Sequence, residues 1–443
     1  MFALGHELAQ TPSHKFDLDH MRVLLAALDH PERRFPSVLI AGTNGKGSTA
    51  ATLASILRAS GVKTGLYTSP HLVRINERIR VNDREVSDDD FAFLQGEVDR
   101  VAERLVERAG LPWHPSFFEM MTAIAFEHFA REKVGLAVLE VGMGGRLDAT
   151  NVVDPLVSVI TDISLDHQKF LGETVGEISR EKVGILRPGG AAVVLPQQPE
   201  ANDVIGNAIL ELGTRGVNAV PYVPPVSPGS TQYLVPSTTQ DRSGSVYRYP
   251  LAVLGEQILV ETSLVGRHQL RNVALAIAAA VELSQHGFGG ITAWSIERGI
   301  RETRWPGRFQ VIARAGWPEM AIDVAHNPAG AWALRSALSE QYEDRRLIFV
   351  FGAMRDKAIS EMAEILFPLA ERVIATRPEN PRSASPEEIR QAAGRTGVEV
   401  EAVEDVRAAV ERARALASAG AVIVITGSIY LVGEVMRIVG AEV

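Results

Sequence analysis

The sequence predicts an α/β protein built on two mainly parallel sheets. Short apolar runs alternate with stretches of helical periodicity, which is the pattern of strand–helix–strand units. Four runs are apolar at successive positions, as is typical of parallel strands buried on both faces, and they cover residues 37–42, 136–142, 156–163 and 191–196. A second series of the same kind follows residue 303. We therefore expect a larger N-terminal domain, 1–303, and a smaller Rossmann-like α/β domain, 304–443.

Helices are predicted between these strands. The periodicity indicates helices over 48–61, with Gly61 near the C-terminal cap, over 116–133, and from Arg267 through "RHQLRNVALAIAAAVELSQHG". Residues 221–250 are rich in Pro, Ser, Thr and Gly, which favours loops and short antiparallel strands over a helix. In the second series, strands are predicted within "EMAIDVAHN", "LIFVFGA", "RVIAT" and "AVIVITGS".

Composition narrows the function classes. The net charge of −9 argues against a nucleic-acid or membrane-surface partner bound by bulk charge. The absence of cysteine excludes disulfides, zinc–thiolate sites and cysteine nucleophiles. The first twenty residues lack the pattern of a secretion signal, and the longest apolar runs are too short to span a bilayer. A cytoplasmic enzyme is expected.

The segment "AGTNGKGST" joins the first predicted strand to a helix and predicts a phosphate-binding loop. Glycines let backbone N–H groups approach a phosphate, the helix N-terminus adds partial positive charge, and Lys46 adds a full one. Ser48 or Thr49 can reach a Mg²⁺ ion. The loop departs from G-x-x-x-x-G-K-[ST], because Ile40 replaces the first Gly and Gly47 follows Lys46. The alternative is a glycine turn with a surface lysine.

Other polar residues follow predicted strands but are ambiguous when taken singly. Glu140 ends an apolar strand before a glycine turn, where α/β sheets place ligands, yet a strand-end glutamate is as often structural. His167 suits a cap or a packing role, and Lys182 suits a solvated helix position. Asp323 is compatible with a helix cap. His268 and Asn272 are four residues apart and share a face if that segment is helical.

Taken with the rest of the chain, "AGTNGKGST" resembles the nucleotide loop of the Mur ligase superfamily, in its folylpolyglutamate synthase and dihydrofolate synthase branch, which inserts a Gly after the Lys. Further blocks with the family's order extend over nearly the whole chain: "TSPHLVRINERIRVN", "FFEMMTAIAF", "LEVGMGGRLDATNVV", "DISLDHQKFLGETVGEISREKVGIL", "LVGRHQLRN", "RWPGRFQ", "DVAHNPAG" and "ITGSIYLVGEV". Minor departures are Met143, Val183 and "DKAI" at 356–359.

The resemblance implies roles for individual residues. It implies catalytic roles for Lys46, Lys182 and His326, with Lys182 carbamylated. The implied nucleotide contacts are Gly42, Thr43, Asn44, Gly45, Lys46, Gly47, Ser48, Thr49, Asn272, Arg308 and Asp323. The implied Mg²⁺ ligands, over two sites, are Ser69, Glu140, His167 and Lys182. Asp148 would contact dihydropteroate, and Ser428 would contact substrate.

The implied activity is ATP-dependent amide formation between L-glutamate and 7,8-dihydropteroate, a folate, or both. ATP converts the carboxylate to an acyl phosphate, which the glutamate amine then attacks. The implied protein is a cytoplasmic monomer that needs ATP and Mg²⁺, takes small-molecule substrates and binds neither nucleic acid nor membrane.

Other functions stay open at this point. One is a related ligase acting on a muramyl peptide or another carboxylate. A second is a P-loop phosphotransferase or regulatory NTPase, which leaves "WPGR" and "DVAHN" unexplained. A binding module that has lost catalysis is a third.

Overall fold

The computed structural model describes residues 17–225, 234–236, 245–314 and 316–441. They fall into two compact units. The first contains the described residues up to Pro225 together with Tyr249–Glu261 and Arg271–Thr303. The second contains the described residues of 226–248, Thr262–Leu270 and those from Arg304 onward. The division into an ATP-binding domain, 1–303, and a ligase domain, 304–443, stays a prediction.

The first unit is built on a sheet to which eight strands of the described chain belong. They are β1 (Ser37–Ala41), β2 (Thr64–Tyr67), β3 (Ile79–Val81), β4 (Arg84–Glu85), β5 (Leu136–Glu140), β6 (Val157–Ile160), β7 (Ala191–Val194) and β8 (Arg215–Asn218). Their order is β4-β3-β2-β5-β1-β6-β7-β8. The run from β2 to β8 is parallel, and β3 and β4 add an antiparallel edge.

The helices of this unit connect its strands. They are α1 (Leu18–Ala27), α2 (Lys46–Ala59), α3 (Asp88–Glu107), α4 (Phe117–Arg131), α5 (Gln168–Leu171), α6 (Val175–Val183) and α7 (Pro199–Leu212). Local sequence fixes several starts. Ser116 accepts a hydrogen bond from the Glu119 amide while the Glu119 side chain accepts one from the Ser116 amide, and this capping box begins α4. Thr174 and Glu177 begin α6 in the same way.

The central strands are apolar on both faces because helices cover both. β1 and β5 are buried at every position, and Phe126 and Phe129 of α4 pack in one core cluster with Leu39. Ile40 of β1 is in register with Glu140 of β5 and with Val159 of β6. The loops that follow these three strands therefore leave the sheet side by side at its carboxyl edge.

Three further strands form a small antiparallel sheet ordered β11-β10-β9: β9 (Leu234–Pro236), β10 (Ser245–Val253) and β11 (Glu256–Thr262). They are followed by α8 (Arg267–Ser284) and α9 (Ala293–Glu302). The antiparallel pairing of β9 and β10 confirms the expectation for the described part of 221–250, apart from a 3-10 turn at Val220–Tyr222. Positions 226–233 and 237–244 lie outside the described residues.

The second unit contains a sheet of order β12-β13-β17-β14-β15-β16. Its strands are β12 (Gln310–Ile312), β13 (Glu319–Ile322), β14 (Leu347–Phe351), β15 (Ala370–Ala375), β16 (Val400–Ala402) and β17 (Val422–Thr426). All pair in parallel except β12. The helices are α10 (Pro328–Gln341), α11 (Ile359–Leu366), α12 (Pro386–Ala392), α13 (Val406–Leu416) and α14 (Ile429–Val439).

The predicted α/β class, with two mainly parallel sheets, is confirmed. Each predicted strand is present. Most end before the predicted run does, because the last residues of the apolar runs already turn into loops, whereas β15 begins two residues earlier than predicted. The helix predicted over 48–61 begins at Lys46, and Gly61 follows its cap with a φ of +80°. No helix within the described ranges combines the length and the apolar character needed to cross a membrane. The segment judged for a secretion signal lies largely outside those ranges.

Candidate active site

The predicted phosphate loop has the backbone that its glycines allow. Gly42 and Gly45 have φ values of +155° and +89°, and Gly45 is the N-cap residue of α2. A Cβ atom on Gly42 would lie 1.8 Å from the Thr161 hydroxyl oxygen, and one on Gly45 would lie 2.2 Å from the Asn272 side-chain oxygen. Both positions therefore require glycine, for close approach and, at Gly45, for its left-handed backbone.

Two lysines converge on the carbonyl oxygen of Gly42. Lys46 Nζ donates to Gly42 O at 3.1 Å and to Thr43 O at 3.2 Å, while Lys182 Nζ donates to Gly42 O at 2.8 Å. Lys46 is half-buried and folded over the loop, so the interpretation as a surface lysine is wrong. The positive charge of Lys46, with the amine of Lys182 beside it, makes this loop a place that favours an anion.

Lys182 lies deep in this region, with 2% of its surface exposed. Burial, and after it the charge of Lys46, lower the pKa of Lys182 from 10.5 to about 7, although Asp166 and Asp148 act in the opposite direction. A solvated helix lysine is therefore the wrong interpretation. The neutral form of this amine is therefore easier to reach near pH 7 than that of an ordinary lysine.

The first half of the loop rests on the segment that follows β6. The amides of Thr43 and Asn44 donate to the carbonyl of Asp162 at 2.9 and 3.1 Å. The Thr43 hydroxyl donates to Ser164 O at 3.0 Å and accepts from Ser164 N at 3.1 Å. The Asn44 side chain donates to the Ser164 hydroxyl at 3.3 Å. The sequence did not predict this support, because in this segment it pointed only to His167.

The other predicted residues of the loop lie in the first turn of α2. Gly47, Ser48 and Thr49 are buried there. The Thr49 hydroxyl donates to the carbonyl of Asn272 on α8 at 3.4 Å. Asn272 is therefore beside the loop, and its contact with the nucleotide stays a prediction. His268 is also on α8, one turn before it.

The predicted metal ligands are partly assembled. The buried carboxylate of Glu140 accepts a hydrogen bond from the Ser69 amide at 3.1 Å, so these two residues are neighbours. His167 is the N-cap residue of α5 and has a φ of +50°, an uncommon conformation for a non-glycine residue. Its amide donates to Asp166 Oδ1 at 2.8 Å.

A magnesium ion fits this donor set. Within the described residues there is no group of three or more His, Cys, Asp or Glu side chains arranged to hold a metal. Mg²⁺ commonly binds through one or two carboxylates and completes its shell with water and phosphate oxygens. The Glu140 carboxylate and the Ser69 hydroxyl are oxygen donors of that kind, so the residues fit an ion held jointly with a nucleotide.

Asp148 has a structural role that the sequence did not reveal. Its buried carboxylate accepts from Met143 N at 2.9 Å, from Thr150 N at 3.0 Å and from the Thr150 hydroxyl at 2.6 Å. Burial raises the pKa of Asp148, and these hydrogen bonds oppose the rise. The side chain thus braces the glycine turn after β5 from within.

In the second unit, Asp323 organises the segment that carries Arg308. Its carboxylate accepts from Phe309 N at 2.9 Å and from Ala325 N at 2.8 Å. Burial raises the pKa of Asp323, and the charge of Arg308 acts against this. Asn327, not Asp323, caps α10, so the helix-cap interpretation of Asp323 is wrong.

His326 and Ser428 lie on adjoining segments of the same unit. His326 Nδ1 donates to Val324 O at 2.9 Å. Ser428 caps α14, and its hydroxyl accepts from Tyr430 N at 3.1 Å. The two segments are joined by a hydrogen bond from Gly427 N to Ala325 O at 3.1 Å. Arg308, Asp323, His326 and Ser428 are thus brought to one edge of this sheet.

Comparison with known proteins defines the class first. The Mur ligase middle domain matches residues 118–280, and the Mur ligase glutamate ligase domain matches residues 307–429. The chain therefore contains the middle domain and the glutamate ligase domain of a Mur-type ligase.

Full-length relatives then define the family. A dihydrofolate synthase/folylpolyglutamate synthase of Bacillus subtilis is 31% identical over 95% of this chain and 94% of its own length. Among solved structures, Mycobacterium tuberculosis folylpolyglutamate synthase with ADP and AMPPCP has a TM-score of 0.84 at 31% identity, covering 96% of both chains. The chain belongs to the dihydrofolate synthase/folylpolyglutamate synthase family.

Two further structures carry ligands of interest. Escherichia coli FolC in complex with DHPP and ADP has a TM-score of 0.78 at 29% identity, covering 98% of this chain and 95% of that one. The Yersinia pestis bifunctional folylpolyglutamate synthase/dihydrofolate synthase with AMPPNP and a Mn ion has a TM-score of 0.77 at 29% identity. The match covers 98% of this chain and 96% of that one. This chain spans only 48% and 47% of two archaeal relatives named as probable bifunctional folylpolyglutamate synthase/dihydropteroate synthases.

Proposed function

We propose that this protein is an ATP-dependent ligase that joins the amine of L-glutamate to the carboxylate of 7,8-dihydropteroate, of a reduced folate, or of both. The observation that carries the proposal is the glycine loop after β1, where Lys46 and buried Lys182 meet one carbonyl beside the strand that ends in Glu140. Relatives of similar length that are named dihydrofolate synthase/folylpolyglutamate synthase support the choice of substrates.

The loop provides the phosphate cradle. Its amides and the N-terminus of α2 attract the phosphates, Lys46 turns from the loop carbonyls to the terminal phosphates, and Asn272 holds the nucleotide from α8. Arg308 and Asp323 are the proposed nucleotide contacts of the second unit. Asp323 is suited to accept hydrogen bonds from ribose hydroxyls, because its carboxylate is an acceptor held in place by two amides.

Glu140, Ser69 and His167 are the proposed ligands of Mg²⁺, which when bound would neutralise charge on the transferred phosphoryl group. Their placement next to the phosphate loop, at the carboxyl edge of the sheet, supports this assignment. A Mn ion in the related Yersinia enzyme supports a divalent metal, and the division into two sites is part of the proposal.

Lys182 is proposed to react with CO₂. The neutral amine forms a C–N bond with CO₂ and loses a proton, which gives a carbamate anion suited to a second Mg²⁺. The lowered pKa and the burial of the amine support this reaction. The test is turnover in CO₂-depleted buffer. We expect activity to fall and to return with bicarbonate in the wild type but not in Lys182→Met, and equal activity with and without bicarbonate would contradict the carbamate.

The chemical step then has two parts. A carboxylate oxygen of the acceptor attacks the γ-phosphorus of ATP, ADP leaves, and an acyl phosphate forms. The glutamate amine attacks the acyl carbon, phosphate departs, and the amine proton is released as the amide forms. His326 and Ser428 are proposed to face the incoming glutamate, and Asp148 to face dihydropteroate. We also propose that the enzyme acts as a cytoplasmic monomer without nucleic-acid partners.

The deciding experiment measures phosphate release from ATP with Mg²⁺ and L-glutamate, offering 7,8-dihydropteroate or a reduced folate in parallel. Turnover that requires both acceptor and glutamate is expected. Turnover with both acceptors would establish two activities, and turnover with one would define a single activity. A folded protein that is inactive with both would overturn the folate assignment and favour the muramyl-type alternative.

A further inference from the structure

Arg271, the residue before Asn272 on α8, clamps the carboxylate of Asp162. Its Nε atom donates to Oδ1 at 3.1 Å and to Oδ2 at 3.2 Å, and Nη2 donates to Oδ1 at 2.6 Å. Nη2 also donates to the carbonyl of Pro196, which follows β7, at 2.8 Å. A guanidinium that engages one carboxylate through two nitrogens fixes orientation as well as distance.

The backbone of Asp162 carries the phosphate loop. Its carbonyl accepts the amides of Thr43 and Asn44, which are the first half of the loop. The adjacent Thr161 packs closely against the loop: a Cβ on Gly42 would come within 1.8 Å of the Thr161 hydroxyl oxygen. A shift of Asp162 therefore moves the loop amides and the Gly42 carbonyl on which both lysines converge.

We propose that Arg271 is a positioning residue for the phosphate loop: through the carboxylate of Asp162 it fixes the carbonyl that orients the Thr43 and Asn44 amides. The inference rests on the proposed function, in which this loop binds the phosphates of ATP. Neither residue touches the nucleotide in this role. The contribution is preorganisation, because a loop already held in its binding geometry loses less entropy when the phosphates arrive.

The alternative is an ordinary surface ion pair, which contributes little. The chain offers a matched control for it in the same unit. Arg58 of α2 pairs with Glu302 of α9 at 3.2 Å, with side chains 33% and 34% exposed, against 31% and 34% for Arg271 and Asp162. Arg58 lies at the far end of α2 from the loop. A general loss of packing would affect both pairs, whereas loop positioning depends only on Arg271.

The experiment uses the full chain with the substitutions R271A, R271K, D162A, the double variant R271A/D162A, and R58A. Calorimetry gives the Kd of ADP with Mg²⁺, steady-state kinetics gives KM for ATP and for L-glutamate, and thermal unfolding gives Tm. We expect R271A and D162A each to raise the Kd of ADP by about tenfold, and the double variant to equal either one, because all three remove the same contact.

The remaining readouts separate positioning from stability. KM for ATP should rise with the Kd, while KM for glutamate stays at the wild-type value. The Kd of R271K for ADP should lie between those of the wild type and R271A. The lysine ammonium keeps the positive charge but cannot donate to the carboxylate through two nitrogens. R58A should change Tm alone. If R271A does not fold, the Kd values of R271K and D162A for ADP are compared with that of the wild type instead.

Two results would overturn the inference. One is an R271A protein that binds ADP within twofold of the wild type. The other is an R58A protein whose Kd rises as much as that of R271A. Failure of the proposed function is distinguishable, since the wild type would then show no turnover with either acceptor, whatever its Kd for ADP. If the wild type binds ADP and is active while R271A binds ADP equally tightly, only the positioning role of Arg271 is contradicted.

Discussion

Lys182 imposes a pH-dependent cost on the folded state that a single substitution should remove. Burial and the charge of Lys46 lower the pKa of Lys182 from 10.5 to about 7. Such a shift corresponds to about 5 kcal/mol of lost proton affinity, as an upper figure for the amine without ligands. Lys182→Met keeps the length of the side chain and removes the charge. The carbonyl of Gly42 keeps Lys46 as a donor at 3.1 Å.

The sign of the pH dependence follows from linkage. Between pH 10.5 and 7 the unfolded chain holds the lysine proton and the folded chain has released it, so lowering the pH destabilises the folded wild type. The cost is complete below pH 7 and absent above 10.5. Lys182→Met should therefore be more stable than the wild type at pH 7, and its advantage should shrink by about 1.4 kcal/mol for each pH unit up to pH 9.

The assay is thermal unfolding of both proteins at pH 7, 8 and 9 in buffer freed of CO₂, so that the amine stays unmodified. The gap in Tm should narrow by about 1.5–2.5 °C per pH unit. Lys169→Met, at an exposed position of α5, serves as the control and should show a gap that does not change with pH. A constant gap for Lys182→Met would refute the reasoning, as would a wild type more stable than the variant at pH 7.

Three further predictions concern binding and turnover. Gly45→Ala should weaken ADP binding, measured by calorimetry, by more than about tenfold. Left-handed backbone strain of about 1–2 kcal/mol adds there to a collision with Asn272. The control Gly61→Ala has similar strain but open space around the added Cβ, so it should lower Tm and bind ADP normally. Lys46→Met should reduce kcat/KM for ATP, followed by phosphate release, by about 100-fold or more; a tenfold or smaller loss would argue against phosphate contact. Asp148→Asn should reduce turnover of 7,8-dihydropteroate by about tenfold and spare reduced folate; equal losses would indicate only its role in the glycine turn.

Much of the fold was readable from local pattern. Apolar runs such as residues 37–42 predict strands because both faces of a parallel sheet are covered, and the strand appears as Ser37–Ala41. The helix after the loop follows from its periodicity and from Gly61. What the pattern did not show is strand order. The position of β1 between β5 and β6, which places the loop beside Glu140, depends on long-range pairing.

The candidate site divides in the same way. The sequence by itself identified the phosphate loop, because close approach of the backbone to an anion requires glycines and a cation at fixed spacing. The order of the motifs along the chain indicated the family. Only the tertiary structure decided that Lys182 is buried against Lys46 and that Arg271 grips Asp162, 109 residues away. Burial and charge proximity are sums over neighbours from distant parts of the chain, so no local spacing encodes them. A lysine's pKa and a loop's support thus emerge only once the sheet has brought those segments together.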